Sequence, residues 1–255
     1  SVGVLHHLDQ PEAGLRSLAD RLAPSGLLHL FLYADAGRWE IHRTQKALSL
    51  LNAGTGSEGL HLGRELFETL PEGNRLARHH RERWAVDCAP DANFADMYLH
   101  PQETSYNLER LFAFIETAGL HFAGFSNPEV WDPSRLLQGE LLERAQALPP
   151  RQQWELVEQL DPDISHFEFF LSAAPVERAR WSDEALGLAR GLVQPCLWGE
   201  PDPILGRNME PIQLTDADRS LLRTVAEQPE QRLGALASPD QIRDLVDRQL
   251  LLLQE

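Results

Sequence analysis

Hydrophobic positions over the first 35 residues switch between helical spacing and continuous runs. Apolar side chains recur every three or four residues after Pro11, which predicts an amphipathic helix that ends before Pro24. The continuous apolar run Leu27–Tyr33 follows, as is typical of a strand covered on both faces. Because the short apolar run Ser1–Leu5 precedes the helix, the pattern predicts a strand–helix–strand unit with parallel strands and an α/β fold.

The middle of the chain is mainly helical in its spacing. Residues 38–91 and 127–162 lack buried-strand runs, which predicts two helical insertions. Residues 94–103 are aromatic and irregular, and Ser105 is placed to cap the helix that follows. The aromatic run His166–Leu171 predicts a further strand.

The last third of the chain divides into a linker and a small appendage. Proline and glycine are frequent over residues 173–212, which predicts irregular structure in that segment. Beyond it, Thr215 and Ser238 are placed to cap two helices, and Leu250–Leu253 is expected to end the appendage as a short strand. The predicted organisation is residues 1–172, a linker over 173–212 and an appendage over 213–255.

Composition excludes several classes of protein. The 255 residues carry 23 basic and 39 acidic side chains, a net charge of -16, which opposes binding to nucleic-acid phosphates or to an anionic membrane. No apolar run approaches the roughly 20 residues that a membrane span needs, and no signal peptide is visible. The two cysteines, Cys88 and Cys196, have no metal-binding spacing. A cytoplasmic protein that binds neither membrane nor nucleic acid is expected.

Two short motifs bear on a binding site. Gly54–Gly59 fits the spacing GxGxxG, but the residues before it have helical spacing, so a loop between helices is favoured over a dinucleotide site. His6 and His7 follow an apolar run at the strand end where α/β folds bind ligands, either as ligand contacts or as ordinary strand-end polar residues. Adjacent histidines chelate one metal poorly and no HxxxH spacing accompanies them, so no metal site is predicted.

Four stretches of the chain carry a family resemblance. Val4–Leu8 and Leu22–Tyr33 resemble the second half of class I S-adenosylmethionine-dependent methyltransferases, in which strand four ends in a VLHHL-like run and strand five follows an L-x-P-G-G-x-L turn. Ser25 replaces the first glycine of that turn here. Ala118–Leu120 is similar to the family's entry to strand six, and Ser165–Leu171 is similar to its strand seven, antiparallel at the edge of the sheet.

The resemblance implies a partial Rossmann-like methyltransferase sheet with helical insertions, followed by a small winged-helix-like domain. The family holds its cofactor mainly with a Gly-rich loop after strand one and an acid that ends strand two. Both elements would lie before Ser1. The chain is therefore expected to be the C-terminal portion of a longer enzyme, and to bind S-adenosylmethionine weakly when it is alone.

The resemblance also implies roles for single residues. The residues expected at the methionine end of S-adenosylmethionine are Val2, Gly3, Val4 and His7. Those expected on the side of the methyl acceptor are Tyr33, Asp35, Asp96, Glu103 and Tyr106. His6 and His100 are the candidate catalytic bases, since an imidazole can take a proton from an O–H or N–H nucleophile. The acceptor is either a small molecule or a protein.

A second hypothesis is a non-catalytic interaction or regulatory protein built on a degenerate methyltransferase half. Its partner would bind through residues 213–255. This segment carries five basic and eight acidic side chains, so a protein partner is expected in preference to DNA.

Overall fold

The computed structural model describes residues 1–176, 181–194, 204–205 and 211–254. Contacts divide the chain into two compact units, Ser1–Val176 and Glu177–Glu255. Cys196 and the predicted linker segments 177–180, 195–203 and 206–210 lie outside the described residues. None of the described helices is long and apolar enough to span a membrane.

The first unit surrounds a small sheet with helices. Its strands are β1 (Leu27–Tyr33), β2 (His121–Phe125) and β3 (His166–Ser172). Its helices are α1 (Pro11–Ala19), α2 (Trp39–Leu50), α3 (Ser57–Thr69), α4 (Arg75–His79), α5 (Asp91–Leu99), α6 (Leu108–Glu116), α7 (Gly139–Gln146) and α8 (Pro150–Leu160). Single turns of 3₁₀ helix connect several of these elements, and a π-helical turn, His80–Trp84, follows α4.

The sheet of the first unit has the order β1–β3–β2, and β3 is antiparallel to both neighbours. Phe167, Phe169 and Leu171 alternate along β3 and are fully buried in the core. The mixed α/β class is confirmed, as is the antiparallel direction of this strand. The expected parallel sheet is wrong for these three strands, and the expected edge position of β3 is also wrong. A strand with three fully buried side chains is stabilised by neighbours on both sides.

The N-terminal segment is less regular than the predicted strand. Val2 forms an isolated parallel bridge with Phe31, so the expected parallel strand–helix–strand arrangement survives as one bridge. Gly3 has a φ of +69°, which interrupts the extended backbone. Leu5–His7 then forms a 3₁₀ turn that leads towards α1.

The first insertion is helical, as predicted, and extends further than expected. The loop at Gly54 joins α2 to α3, which confirms the predicted loop between two helices. A Cβ on Gly59 would lie 2.3 Å from the Gly54 carbonyl oxygen, so the third glycine of the motif allows a close backbone approach. The expectation of an irregular segment over 94–103 is wrong for its first half, because α5 covers Asp91–Leu99.

Helix α6 has the predicted apolar face but a different N-terminal cap. Leu108 and Leu111 are fully buried on that face, and Gly119, with a φ of +64°, follows the helix end as predicted. Asn107 caps the helix by accepting a hydrogen bond from the Arg110 backbone N–H at 2.9 Å. The predicted cap, Ser105, instead donates its hydroxyl to Asp35.

The second unit contains helices and short antiparallel strands. Its described elements are α9 (Asp183–Leu188), β4 (Arg190–Val193), β5 (Ile204–Leu205), β6 (Pro211–Ile212), α10 (Asp216–Glu227), α11 (Pro239–Asp247) and β7 (Leu251–Gln254). Thr215 and Ser238 cap α10 and α11 as predicted, and Thr215 forms a capping box with Asp218. The predicted linker contains α9 and β4, and β4 pairs with β7. The winged-helix-like description of this unit stays a prediction.

Candidate functional site

The site is centred on the turn that contains the two adjacent histidines. His6 is fully buried, and its ring stacks on that of Tyr33, at the end of β1, with 3.8 Å between centroids. The Thr104 backbone N–H donates to the His6 carbonyl oxygen at 2.7 Å. This contact holds the segment after α5 against the histidine turn, and so brings His100 within reach of His7.

His6 is a neutral ring in the folded protein. Burial lowers its pKa to about 4, assisted by the electrostatic effect of His7 and opposed by that of Glu103. Neither ring nitrogen has a hydrogen-bond partner among the described residues. A neutral imidazole offers one N–H donor and one lone pair, so His6 can orient a ligand but is a weaker base than an ordinary histidine.

The peptide groups around Gln102 determine the tautomers of the other two histidines. His7 Nδ1 lies 3.2 Å from the Gln102 carbonyl oxygen, which only accepts, so Nδ1 carries the hydrogen and the lone pair is on Nε2. His100 Nδ1 accepts the Gln102 backbone N–H at 3.2 Å, so the neutral ring of His100 carries its hydrogen on Nε2. Of the two rings, whose centroids are 4.0 Å apart, His7 has the unoccupied lone pair.

Asp96 joins these two rings in one cluster. Asp96 lies one helical turn before His100, which directly follows the last residue of α5, so both side chains are on the same face. Potential ligand atoms of His7, Asp96 and His100 all lie within 4.8 Å of one another. No metal site was predicted from the sequence, because only pairs of histidines were tested as metal ligands. The spacing Asp-x-x-x-His of Asp96 and His100 could have indicated the cluster.

A buried ion pair supports one side of the site. Arg38 donates two hydrogen bonds from Nη2 to the Glu103 carboxylate, at 2.9 and 2.8 Å, and its guanidinium lies 3.5 Å from the Tyr33 ring centroid. His42 and Gln45 reach the same carboxylate at 3.1 and 3.3 Å. Burial alone raises the pKa of Glu103, but the His42 hydrogen bond and the Arg38 charge outweigh it, so the pKa lies below its usual value.

Sequence reasoning found Glu103 and missed its partners. Arg38, His42 and Gln45 lie on or just before α2, inside a segment that reads only as an amphipathic helix. The Glu103 carboxylate is occupied by these three side chains, so Glu103 positions Arg38 over the Tyr33 ring. Burial also raises the pKa of Tyr33, which therefore stays protonated.

A cleft of about 670 Å³ opens beside His100. Its lining includes His42, Gln45, Lys46, Tyr98, His100 and Glu103. Lys46 is exposed at this cleft and is the sole lysine of the chain. The cleft therefore connects the interior ion pair to solvent past a cationic side chain.

Two other predicted site residues, Asp35 and Tyr106, have contacts that do not involve the histidine cluster. Asp35 accepts the Ser105 hydroxyl and pairs with Arg110 at 3.2 Å. Burial raises the pKa of Tyr106 to about 12, and its hydroxyl has no partner among the described residues. Neither residue contacts the three histidine rings.

The predicted residues Val2, Gly3 and Val4 are exposed. Val2 is 59% and Val4 50% exposed, so both apolar side chains remain available for contact.

Comparison with known proteins identifies the fold. No protein-family model matches the chain. PKMT2 from Rickettsia typhi, in complex with AdoHcy, matches the whole chain with a TM-score of 0.62 at 15% sequence identity. A second structure of PKMT2 gives a TM-score of 0.59 at 16% identity. The fold is similar to that of a methyltransferase.

A relative in sequence is an uncharacterized protein of Synechococcus sp., which is 43% identical over 269 residues and matches 99% of the chain. The chain spans 64% of the length of that protein and 57% of the length of each PKMT2 chain. It thus corresponds to less than two thirds of the proteins that it resembles.

Proposed function

We propose that this chain takes part in S-adenosylmethionine-dependent methyl transfer, as the C-terminal part of a class I enzyme. The observation that carries the proposal is the match of the whole chain to PKMT2, a protein with AdoHcy bound in its structure. AdoHcy is the product that S-adenosylmethionine leaves after transfer. The position of His6 and His7, directly after a segment bridged to β1, agrees with ligand binding at strand ends.

The chain's own residues fit one end of that cofactor. S-adenosylmethionine would supply an electrophilic methyl group on a sulfonium. Val2, Gly3 and Val4 are exposed and His7, close to them in the chain, is half-buried, as a surface that receives a partly polar ligand requires. Since no Gly-rich loop follows a strand among the described residues, we propose that residues outside this chain hold the nucleoside end.

The tautomers suggest how protons would be handled. His7 has its Nε2 lone pair free, so it is better placed to accept a proton than the two bases expected from the sequence, His6 and His100. His6, a fully buried neutral ring in contact with His7 and Tyr33, would hold those two side chains in place. The acceptor, a small molecule or a protein side chain, would enter through the cleft beside His100.

A methyl-transfer assay with tritiated S-adenosylmethionine tests the proposal. The 255-residue chain and the polypeptide encoded by the complete reading frame would each be incubated with cell extract as the source of acceptor. We expect label transfer by the complete polypeptide, a large loss in its His7→Gln variant, and weak cofactor binding by the chain alone.

The outcomes separate the parts of the proposal. Tight cofactor binding and transfer by the chain alone would refute its role as a partial enzyme and leave methyl transfer intact. No cofactor binding by either polypeptide would refute methyl transfer and favour the non-catalytic alternative.

A further inference from the structure

We propose that His7, Asp96 and His100 form a binding site for a divalent transition-metal ion of the zinc class. The three residues come from two separate parts of the first unit, the histidine turn and the end of α5, and they converge on one point. A bound ion would occupy the His7 Nε2 lone pair that the proposed methyl transfer uses as a proton acceptor, so the two roles of His7 exclude each other.

The spacing of the three side chains is close to that of a coordinated set. Zinc binds imidazole nitrogen and carboxylate oxygen at about 2.0–2.2 Å, which places the ligand atoms of a tetrahedral site about 3.4 Å apart. The ligand atoms here lie within 4.8 Å of one another. Asp96 is exposed and the two histidines are half-buried, so side-chain rotation closes this gap without movement of the backbone.

The donor set selects the type of metal. Two imidazoles and one carboxylate suit Zn²⁺, Co²⁺, Ni²⁺ and Fe²⁺, whereas Mg²⁺ and Ca²⁺ prefer oxygen donors alone. Three protein ligands leave at least one coordination position open, which is the arrangement of sites that hold a water or a small ligand on the metal.

His7 is already prepared as a ligand. Its Nδ1–H faces the Gln102 carbonyl oxygen at 3.2 Å, which directs the Nε2 lone pair away from the backbone. Metal-binding histidines usually have their second nitrogen fixed in this way by a carbonyl or a carboxylate. Of His6 and His7, it was His7 that the family resemblance placed in contact with the cofactor.

His100 must exchange one contact to become a ligand. In its neutral ring the lone pair is on Nδ1, where it accepts the Gln102 N–H at 3.2 Å. A metal that takes this lone pair replaces the hydrogen bond. The Gln102 amide is therefore an internal reporter, since metal binding alters its hydrogen bond in a way that binding at a distant surface histidine does not.

Calorimetric titration of the chelator-treated 255-residue chain with Zn²⁺, followed by absorption spectra with Co²⁺, tests the site. We expect one equivalent to bind, a Co²⁺ absorption band in the visible range, and a shift of the Gln102 amide resonance. Removal of one ligand should weaken binding by at least about 10–100-fold, the loss that outer-sphere partners alone produce.

Asp96→Asn is the decisive variant, because Asp96 is exposed and the amide keeps its shape. His100→Gln is the second, with circular dichroism as the check on folding. The matched control is His61→Ala, which removes a histidine that is 78% exposed on α3, with Glu65 one helical turn further along, and should leave the titration unchanged.

Two results would overturn the site: no binding of Zn²⁺ to the wild-type chain, or binding that Asp96→Asn leaves unchanged. Both are independent of methyl transfer, because the titration contains no S-adenosylmethionine. If the chain binds Zn²⁺ and the complete polypeptide fails the transfer assay, the metal site stands and the proposed function does not.

Discussion

Glu103 is the residue on which the interior of the site depends most. Its side chain is 5% exposed and that of Arg38 is 4% exposed, so each charge is compensated mainly by the other. Removal of one member of such a pair leaves a buried charge without its counter-ion. We expect Glu103→Gln to lower the free energy of unfolding by about 3 kcal/mol, measured by urea denaturation.

An exposed pair supplies the control for this substitution. Glu140 and Arg144 are about three-quarters exposed and one helical turn apart on α7. Glu140→Gln should change stability by less than about 0.5 kcal/mol, because solvent screens such pairs. If both variants lower the free energy of unfolding equally, the burial of Glu103 does not add to the stability that its ion pair provides.

His80 makes the stability depend on pH. Burial lowers its pKa below the ordinary 6.5, assisted by the positive charges of Arg64 and His79, while its Nδ1 lies 2.9 Å from the Tyr98 hydroxyl. The unfolded chain therefore takes up the proton first. The free energy of unfolding should be highest above pH 6.5 and fall as the pH is lowered towards the folded-state pKa.

The His80→Gln variant isolates this contribution. Urea denaturation at about pH 7.5 and about pH 5.5 should give a smaller loss of stability on acidification for His80→Gln than for the wild type. The lowered pKa of Glu103 acts in the same direction but at more acidic pH. An identical loss in both proteins would contradict the role of His80.

At the scale of elements, two glycines in the second unit are expected to respond in opposite ways to substitution by alanine. A Cβ on Gly187, in α9, would meet Gly234 Cα at an ordinary 3.7 Å, whereas a Cβ on Gly234 would lie 2.8 Å from the Gly187 backbone. Gly187→Ala should stabilise by up to about 1 kcal/mol through helix propensity. Gly234→Ala should destabilise by about 1–3 kcal/mol through overpacking. Thermal denaturation of both variants checks the sign.

The start of α10 is stabilised by its capping box. The Thr215 side chain accepts from the Asp218 backbone N–H at 3.1 Å, and the Asp218 carboxylate accepts the Thr215 N–H at 2.9 Å. Thr215→Ala should cost about 1 kcal/mol, measured by denaturant unfolding. Thr224→Ala, within the same helix, is the control and should be close to neutral, so a matching loss there would argue against capping.

At the scale of the molecule, exposed apolar side chains lie beside the sheet. Val2 is 59% and Val4 50% exposed next to β1, where apolar edges promote association. Light scattering after gel filtration should show an apparent mass that rises with concentration and falls in Val2→Lys/Val4→Lys. Val86→Lys, at a position 86% exposed elsewhere, should leave it unchanged. A concentration-independent wild-type mass would contradict the prediction.

Local features of the fold were predictable, and long-range pairings were not. The apolar periodicity of α6 and the continuous run of β1 are properties of neighbouring residues, so the sequence alone indicated both. The insertion of β3 between β1 and β2 depends on long-range pairings, and the pairing with β1 spans more than a hundred residues. The cap at Asn107 was missed because Ser105, two residues earlier, is an equally good cap whose hydroxyl is taken by Asp35.

In the candidate site, too, local features could be predicted from the sequence and long-range contacts could not. His6 and His7 could be found from their place after an apolar run. Arg38 and His42 could not, because they reach Glu103 across 65 and 61 residues and carry no motif of their own. Asp96 and His100 were both named from the family resemblance, but their common helical face becomes apparent only once α5 is known to extend to Leu99.

Lys46 allows the chain to be labelled selectively at one side chain. Reagents selective for primary amines have one side-chain target in all 255 residues, besides the terminal amine, and that target lies at the mouth of the cleft beside His100. A single fluorophore or cross-linker attached there would report on the cleft alone. A change in its emission, or a cross-linked product, would reveal a molecule that binds in the cleft.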